Sequence, residues 1–471
     1  MPRFVDVSDP SVARAVLGLD DVVESRDTMF QLFPGMADYI ILHYDTTCGA
    51  VNTATGEVEL VVSDADHTPV FQHAMDQLKA LDGPTRARGG KVGFIGKPVL
   101  SSQLVVPSAI ELGGLVGWGT EGQILESDYD GSIILVTEDA QGENNNTVFR
   151  NFRLAGDLAY TSQCGFEFND SGGSNMRDVI MDEVFVDHVG QHALKLRTGV
   201  TTSGCKIWMY GCELEFNGGD AINAEGDLGT RLIVNGSYII GNDGWGFNGA
   251  AYENITFTGG TIFGSNDLGN IKITGSARGN LTVSNCFLGS AGLGALPQIK
   301  YDGGGITGTR STVNIVGNTF REDTTPGTGI VNHIVFGSTA GASVANVVGN
   351  SFKGHSGDAV KWTAYSSNQL NIKNNLGYND VKGKIATPFA SGRIGAGGSG
   401  AAPSASTTYK AEGTDLLVVS TGGTGTSITI TDPVGNTVAS GLTAYNGVLP
   451  VNYSINWGPL TGWPTIYVGV L

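Results

Sequence analysis

The spacing of hydrophobic positions along this chain changes period near its start. Between Thr68 and Leu81 the apolar residues Val70, Phe71, Ala74, Met75, Leu78 and Leu81 recur three and four apart, which marks one face of a helix. Thr68 as N-cap, Pro69 at the first helical position and the Asp82-Gly83-Pro84 break bound that helix. Residues 1–63 predict a helix around Ser11 to Leu19 and a strand over Asp38 to Asp45. An Asn52-Thr53-Ala54-Thr55-Gly56 turn then leads into Val58 to Val62. After the helix the pattern is one of short apolar strands with glycine and asparagine at their bends.

From about Lys91 to Asp380 these strands repeat. Phe152, Phe185, Leu214, Tyr238, Ile262, Phe287, Phe320, Phe352 and Leu376 each follow a short polar turn, at intervals of 24 to 33 residues. The clearest copies are Ile315 to Phe320, Val347 to Phe352 and Leu281 to Phe287. An interval near 24 suits one turn of a three-sided coil of parallel strands, and a longer one suits the same turn with a loop pushed outward. The count predicts about 11–12 rungs, a rod on the order of 50 Å long at about 4.8 Å per rung. Alternation within a rung puts Cys212, Leu214 and Phe216 on one side with Glu213 and Glu215 on the other, and Leu194 and Leu196 opposite Lys195. Stacking of like on like predicts an internal column of Phe185, Leu214, Tyr238, Ile262, Phe287, Phe320 and Phe352. It also predicts a ladder of turn amides at Asn285, Asn318, Asn350 and Asn374.

The fold class expected is therefore all-β: a parallel β-helix over 64–385, capped by the amphipathic helix. A Gly/Ser/Ala-rich linker follows at 386–406, and a C-terminal β-module at 407–471. Strands of that module are expected at Asp415 to Val419, Ser427 to Ile430 and Thr465 to Val470.

Phe71-Gln72, Gly89-Gly90-Lys91-Val92 and Val106-Pro107-Ser108 resemble motifs that open right-handed parallel β-helices of the pectate-lyase and phage-tailspike superfamily. The last 65 or so residues resemble small β-sandwich modules that end many phage tail fibres. The shared features are Gly422-Gly423-Thr424, Gly435-Asn436, Leu449-Pro450-Val451-Asn452-Tyr453 and Pro464-Thr465. The resemblance implies a right-handed coil and a virion tail spike or fibre protein, a homotrimer that contacts host cell-surface polysaccharide. Residues 1–63 are then expected to attach to other tail proteins. Two other readings stay open: a cellular polysaccharide lyase or glycoside hydrolase of the same superfamily, and a purely structural tail protein.

Composition sharpens this picture. The 471 residues include 71 glycines, and only 15% are charged, which favours strands and tight turns. A net charge of −18 argues against binding nucleic acid through its phosphates. Five cysteines without a CxxC pair argue against a zinc site or a disulfide framework and for small core residues in a protein folded in a reducing cytoplasm. The first residues form no apolar signal run, and no 18 consecutive apolar residues occur, so neither export by a signal peptide nor a membrane span is expected. Assembly in a host cytoplasm fits that expectation. No metal or cofactor is called for.

Candidate chemistry concentrates between Asp187 and Asp267. Aligning the strands centred on Leu194, Ile222, Phe247 and Ile271 brings Asn217, Asn242 and Asn266 into one column, Asp243 and Asp267 into the next, and His192, Asp220 and Trp245 into a third. Asp220, Asp243 and Asp267 are the candidate catalytic carboxylates, since glycoside hydrolysis needs one acid and one base or nucleophile about 5 to 9.5 Å apart. The same residue types also serve tight turns. Trp245, His192, Lys195, Asn223 and Lys272 are the candidate glycan contacts, Trp245 as the aromatic platform. Asn248, Lys300 and Lys361 extend the Lys195 column. Glu213 and Glu215 project from a strand face whose expected neighbours, Val184, Val186, Ile239, Phe263 and Leu288, predict an apolar subunit interface. The paired-Asp and Arg-Ile-Lys motifs of polygalacturonases are missing; Asn270-Ile271-Lys272 stands nearest to the latter. A pectate lyase's calcium-ligand aspartates with a catalytic arginine are not evident either.

Overall fold

The structure, a computed structural model, describes residues 37–80, 89–115, 123–137, 143–169, 175–197, 206–224, 231–250, 254–275, 279–289, 296–303, 311–321, 332–337, 344–354, 359–362, 369–373, 375–376, 407–410, 416–421, 428–434, 436–442, 445–449, 454–457 and 465–470. The helix expected at Ser11 to Leu19, the 386–406 linker and Asn374 lie outside them.

The chain opens as an antiparallel meander of β1 (Tyr39–Tyr44), β2 (Thr47–Asn52) and β3 (Glu57–Val62). Helix α1 (Thr68–Ala80) follows, one residue earlier than the sequence suggests. Its first turn is capped from outside by Asp66, whose carboxylate accepts the Thr68 N–H at 2.9 Å, so Thr68 is not the cap. Val70, Phe71, Ala74, Met75 and Leu78 of the predicted apolar face are buried, with Phe71 edge-on to Phe94 at 5.8 Å, while Leu81 lies outside the described residues. A Cβ on Gly90 would meet the Leu78 side chain at 2.5 Å, so glycine lets the helix lie directly on the first strand of the coil.

That coil has three faces of parallel strands. Face one runs from β4 (Gly90–Ile95) through Ile110–Gly114 to Gln369–Lys373, and face two from Val99–Leu100 to Ser351–Lys353. Face three, a sheet of ten strands, runs from Leu104–Val106 to Val360–Trp362. The unpaired edge of each face in the first rung is covered differently. β1 pairs with β4. The His67 carbonyl accepts the first hydrogen bond of its helix, from Val70, while its backbone N–H and ring Nδ1 satisfy Val99 at 2.8 and 2.9 Å. The Gln72 amide both donates to and accepts from the Val105 backbone, at 3.2 and 3.0 Å, as a neighbouring strand would.

Face three follows the predicted register: Leu194, Ile222, Phe247 and Ile271 stack, and continue through Ile299, Ile334 and Val360. Face two does not. Its internal column is Leu154, Val186, Leu214, Ile239, Phe263, Leu288, Phe320 and Phe352. Phe185, Tyr238, Ile262 and Phe287 stack with Glu213 on the outside, and Leu376 bridges Ser351 in that same outer row. Val184, Val186, Ile239, Phe263 and Leu288, expected as an exposed interface, are fully buried core. A shift of one residue exchanges every inside and outside position of a strand, and this face carries apolar side chains on both sides, so alternation cannot choose between them. Phe216 also turns out, because its backbone leaves the strand with φ of +53°.

The corner between faces one and two carries a column of Cys212, Ser237, Thr261, Cys286, Asn318, Asn350 and Asn375. Asn318, Asn350 and Asn375 form a buried amide ladder, each Nδ2 reaching the next Oδ1 at 2.9 to 3.0 Å. Cys286 holds the ladder position, and Asn285 stands outside it at φ +54°. A second ladder, Asn217, Asn242 and Asn266, lines the corner between faces two and three. Cys48, Cys164, Cys212 and Cys286 are buried free thiols. Burial pushes the Cys212 and Cys286 thiols up to about 12, which keeps them unreactive.

Beyond the coil, Thr407–Lys410, Ser454–Trp457, Ile428–Thr431 and Thr437–Leu442 form one antiparallel sheet, and Tyr445–Leu449, Leu416–Thr421 and Thr465–Val470 a second. No helix among the described residues is long and apolar enough to cross a membrane.

Candidate functional site

The corner between faces two and three gathers most of the polar chemistry. In four successive rungs a strand of face two ends and the chain turns left-handed for one residue, and in three of them an asparagine of the ladder follows. Asp187 and Glu215 are in register at the strand ends, and Ile240 and Gly264 occupy the same position above them. The left-handed position holds His188, Phe216, Gly241 and Ser265, with φ between +52° and +69°.

On the far side of this corner the predicted columns hold. Asp243 N–H donates to the Asn217 carbonyl and Asp267 N–H to the Asn242 carbonyl, so the two carboxylates stand one above the other at the surface. Burial, and then the Asp243 charge, raise the Asp267 carboxyl above its ordinary value. Asp220 is different. It is 6% exposed; Oδ1 accepts the Trp245 N–H at 2.8 Å, and Oδ2 accepts the Asn223 and Asn248 amides at 2.8 and 2.9 Å. The His192 ring receives the Asp220 backbone N–H on Nδ1 at 3.1 Å. A carboxylate committed to three donors orients its neighbours rather than reaching for a proton. Trp245 is only 5% exposed, packed over Gly269 with the Lys272 ammonium 5.9 Å from its ring, so it offers no open platform.

Lys195, Asn223, Asn248, Lys272 and Lys300 stack in register on face three, but Asn223 is only 3% exposed, so the surface row is Lys195, Asn248, Lys272 and Lys300; Val335 separates it from Lys361. Asp220 fixes the amides of Asn223 and Asn248, and Trp245 supports Lys272. Asp243 and Asp267 flank this row from the corner.

On the near side lies a cluster that the sequence alignment passed over. Asp187 is 1% exposed, held by the Arg153 guanidinium through Nε at 2.8 Å and Nη2, and by His188 Nδ1 at 2.6 Å. A carboxylate only accepts, so His188 carries a proton on Nδ1, and its neutral form presents a bare Nε2. The contact with Asp187 raises the Arg153 pKa further and keeps the guanidinium charged. Glu215 sits one rung up, half-buried, and makes no side-chain hydrogen bond or ion pair among the described residues. Burial first, then the Asp187 charge, raise its carboxyl; burial and Glu215 do the same to Glu213. The Phe216 ring, 48% exposed, lies 5.9 Å from His188 and covers Gly241, where a Cβ would meet it at 2.7 Å. The usable signal was the column alignment of Phe185 to His188, Glu213 to Phe216, Tyr238 to Gly241 and Ile262 to Ser265, which requires the face-two register that alternation misassigned.

Among the described residues no three His, Cys, Asp or Glu side chains are grouped to hold a metal ion.

No protein-family model and no curated protein matches the chain. Among solved structures it is similar to the A-module of the Azotobacter vinelandii mannuronan C-5 epimerase AlgE4, at 18% identity and a TM-score of 0.44, over 69% of this chain and 96% of that one. It is also similar to the tailspike protein of Acinetobacter phage vB_ApiP_P1, at 10% identity and a TM-score of 0.40, over 87% and 86% of the two chains. A third is the tailspike gp49 of Acinetobacter baumannii phage Fri1, a capsular polysaccharide depolymerase, at 12% identity and a TM-score of 0.34, over 86% and 84%. At these scores the parallel β-helix rests on the strand pairing above.

Proposed function

We propose that this chain is a phage-type virion tail spike that binds a host-surface glycan along the corner between faces two and three. The surface row Lys195, Asn248, Lys272 and Lys300 carries the reading, with Asn223 buried in the same register as part of the Asp220 network. Successive rungs lie about 4.8 Å apart, so the row offers regularly spaced donors and acceptors to an extended polysaccharide. Because Asp220 and Trp245 hold those groups in place before any ligand arrives, binding loses little side-chain entropy. His192, Asp243 and Asp267 contribute from the corner, and Asp220 acts as a positioning residue. In this reading residues 1–63 attach to other tail proteins, and the particle is assembled in the host cytoplasm.

Direct binding to purified envelope polysaccharides tests it. Asn248→Ala and Lys272→Ala are each expected to weaken the cognate glycan about 5- to 50-fold, corresponding to about 1–2 kcal/mol per lost contact. Unchanged affinity in both variants, or no binding to any envelope glycan, overturns the reading.

A further inference from the structure

We propose that Glu215 and His188, supported by Asp187 and Arg153, form a hydrolytic site that cleaves an uncharged polysaccharide. The proposal rests on the glycan-binding reading and adds where the bond breaks, by which groups, and in what class of substrate.

The geometry supplies two groups with complementary tasks. His188 is oriented by a buried carboxylate, with its base-competent nitrogen away from that carboxylate. Arg153 anchors the carboxylate, so Asp187 remains an orienter and does not compete for the proton. Glu215 is in register with Asp187 one rung up, beside His188 rather than on it, and is free of partners among the described residues. Its half-buried position favours the protonated form an acid needs, and the raised carboxyl described above agrees. The backbone points the same way. Later rungs place Gly241 and Ser265 at the left-handed position, whereas these two rungs keep His188 and Phe216 there. The exposed Phe216 ring beside His188, with Tyr238 at 40% exposure two rungs above Phe185, offers apolar faces against which a sugar ring can stack.

The reaction balances with water as co-substrate. Glu215 gives its proton to the glycosidic oxygen as the bond from that oxygen to the anomeric carbon breaks. Water attacks the same carbon from the opposite side and loses a proton to His188 Nε2. One fragment gains a hydroxyl, the other a new reducing end, and the imidazolium proton returns to Glu215 through solvent. A single displacement inverts the anomeric configuration.

The charge at the site sets the substrate class. Glu126 and Asp187 act on one guanidinium, Arg153, Glu213 and Glu215 add two carboxyls in the next rung, and the whole chain carries −18. A uronate or sialate beside these carboxylates is repelled, whereas a neutral sugar is not.

The test incubates the full chain with a panel of purified envelope polysaccharides, uncharged and uronate-bearing. New reducing ends are measured, and the anomeric proton of the fresh product is read by NMR. The expected result is cleavage confined to uncharged polymers, with inversion. Glu215→Gln is expected to lower the rate by 10²-fold or more with glycan affinity within about twofold of the unmodified protein. His188→Asn, which tolerates the left-handed backbone, is expected to do the same. Glycan binding without cleavage by the unmodified protein overturns this proposal and leaves the binding reading intact. Retention of configuration, cleavage of uronate polymers alone, or full activity in Glu215→Gln also overturns it. Failure to bind any glycan overturns the binding reading instead.

Discussion

Non-glycine residues in the left-handed region show where this chain departs from the cheapest sequence for its coil. At the corner between faces one and two, the residue before the ladder position is Asn151, Glu183, Gly211, Gly236, Gly260, Asn285, Gly317 and Gly349, all at positive φ. Glycine and asparagine suit that conformation, whereas a longer side chain there costs about 1–2 kcal/mol. Glu183, at φ +53° with its side chain exposed, is the outlier, and no side-chain hydrogen bond or ion pair among the described residues offsets it. Glu183→Gly is therefore expected to stabilise the protein by about 1 kcal/mol, read as a higher midpoint of denaturant unfolding. An unchanged or lower midpoint contradicts this account of the corner. His188 and Phe216 bear the same kind of strain at the other corner, but there the strained side chains flank the Asp187 and Glu215 carboxylates. Strain retained beside the carboxylates of the proposed hydrolytic site, where glycine serves one rung later, agrees with a role for those side chains there.

At the scale of elements, α1 holds the start of the coil through side chains that imitate backbone. Gln72 and His67 replace strand partners, and Asp66 ties the helix start to the following loop. Burial works against the Asp66 carboxylate, but donors from Thr68, Ser101 and Ser102 outweigh it, and its pKa falls below the ordinary value. A carboxyl depressed on folding stabilises the native state above its unfolded pKa of about 3.9 and loses that contribution as pH falls through the lower folded value. Asp66→Ala is accordingly expected to cost about 1–2 kcal/mol at neutral pH, with the difference from the unmodified protein shrinking toward pH 3. Paired denaturation curves at pH 7 and pH 3 measure it, and a gap that does not narrow contradicts the carboxylate's role. This element was legible in the sequence because a helix with one apolar stripe has a single way to face a core. Face three was legible for the same reason: Leu194 and Leu196 are apolar where Lys195 is not. Face two was not, since Phe185, Tyr238, Ile262 and Phe287 are as apolar as the residues behind them, and only pairing distinguishes the two sides. The carboxylate cluster was hidden with it, whereas Asp243 and Asp267 followed from the well-aligned face three.

The whole molecule raises the question of what covers its outward apolar rows. On face one, Val148, Ile180, Trp208 and Ile233 stack in register over four rungs, with Ile233 36% exposed; above them the row turns polar as Thr256, Thr282 and Asn314. A row that is apolar only along part of a rod is what a local subunit contact requires, since continuous apolar surface is costly to leave in water. Face one is also opposite in character to the polar row and carboxylates at the second corner, so association there leaves the proposed glycan site open. We propose that three copies meet along this row, each presenting the same strands to its neighbours in a closed ring. Each chain carries −18, so a new carboxylate within the contact meets both burial and repulsion. Ile233→Glu is expected to convert a species of three times the chain mass into monomer in sedimentation at micromolar concentration. The spectroscopic signature of the β-coil should be unchanged, because Ile233 faces outward while its neighbours Leu232 and Val234 fill the core. A monomer from the unmodified chain, or a variant that remains trimeric, removes face one as the subunit contact.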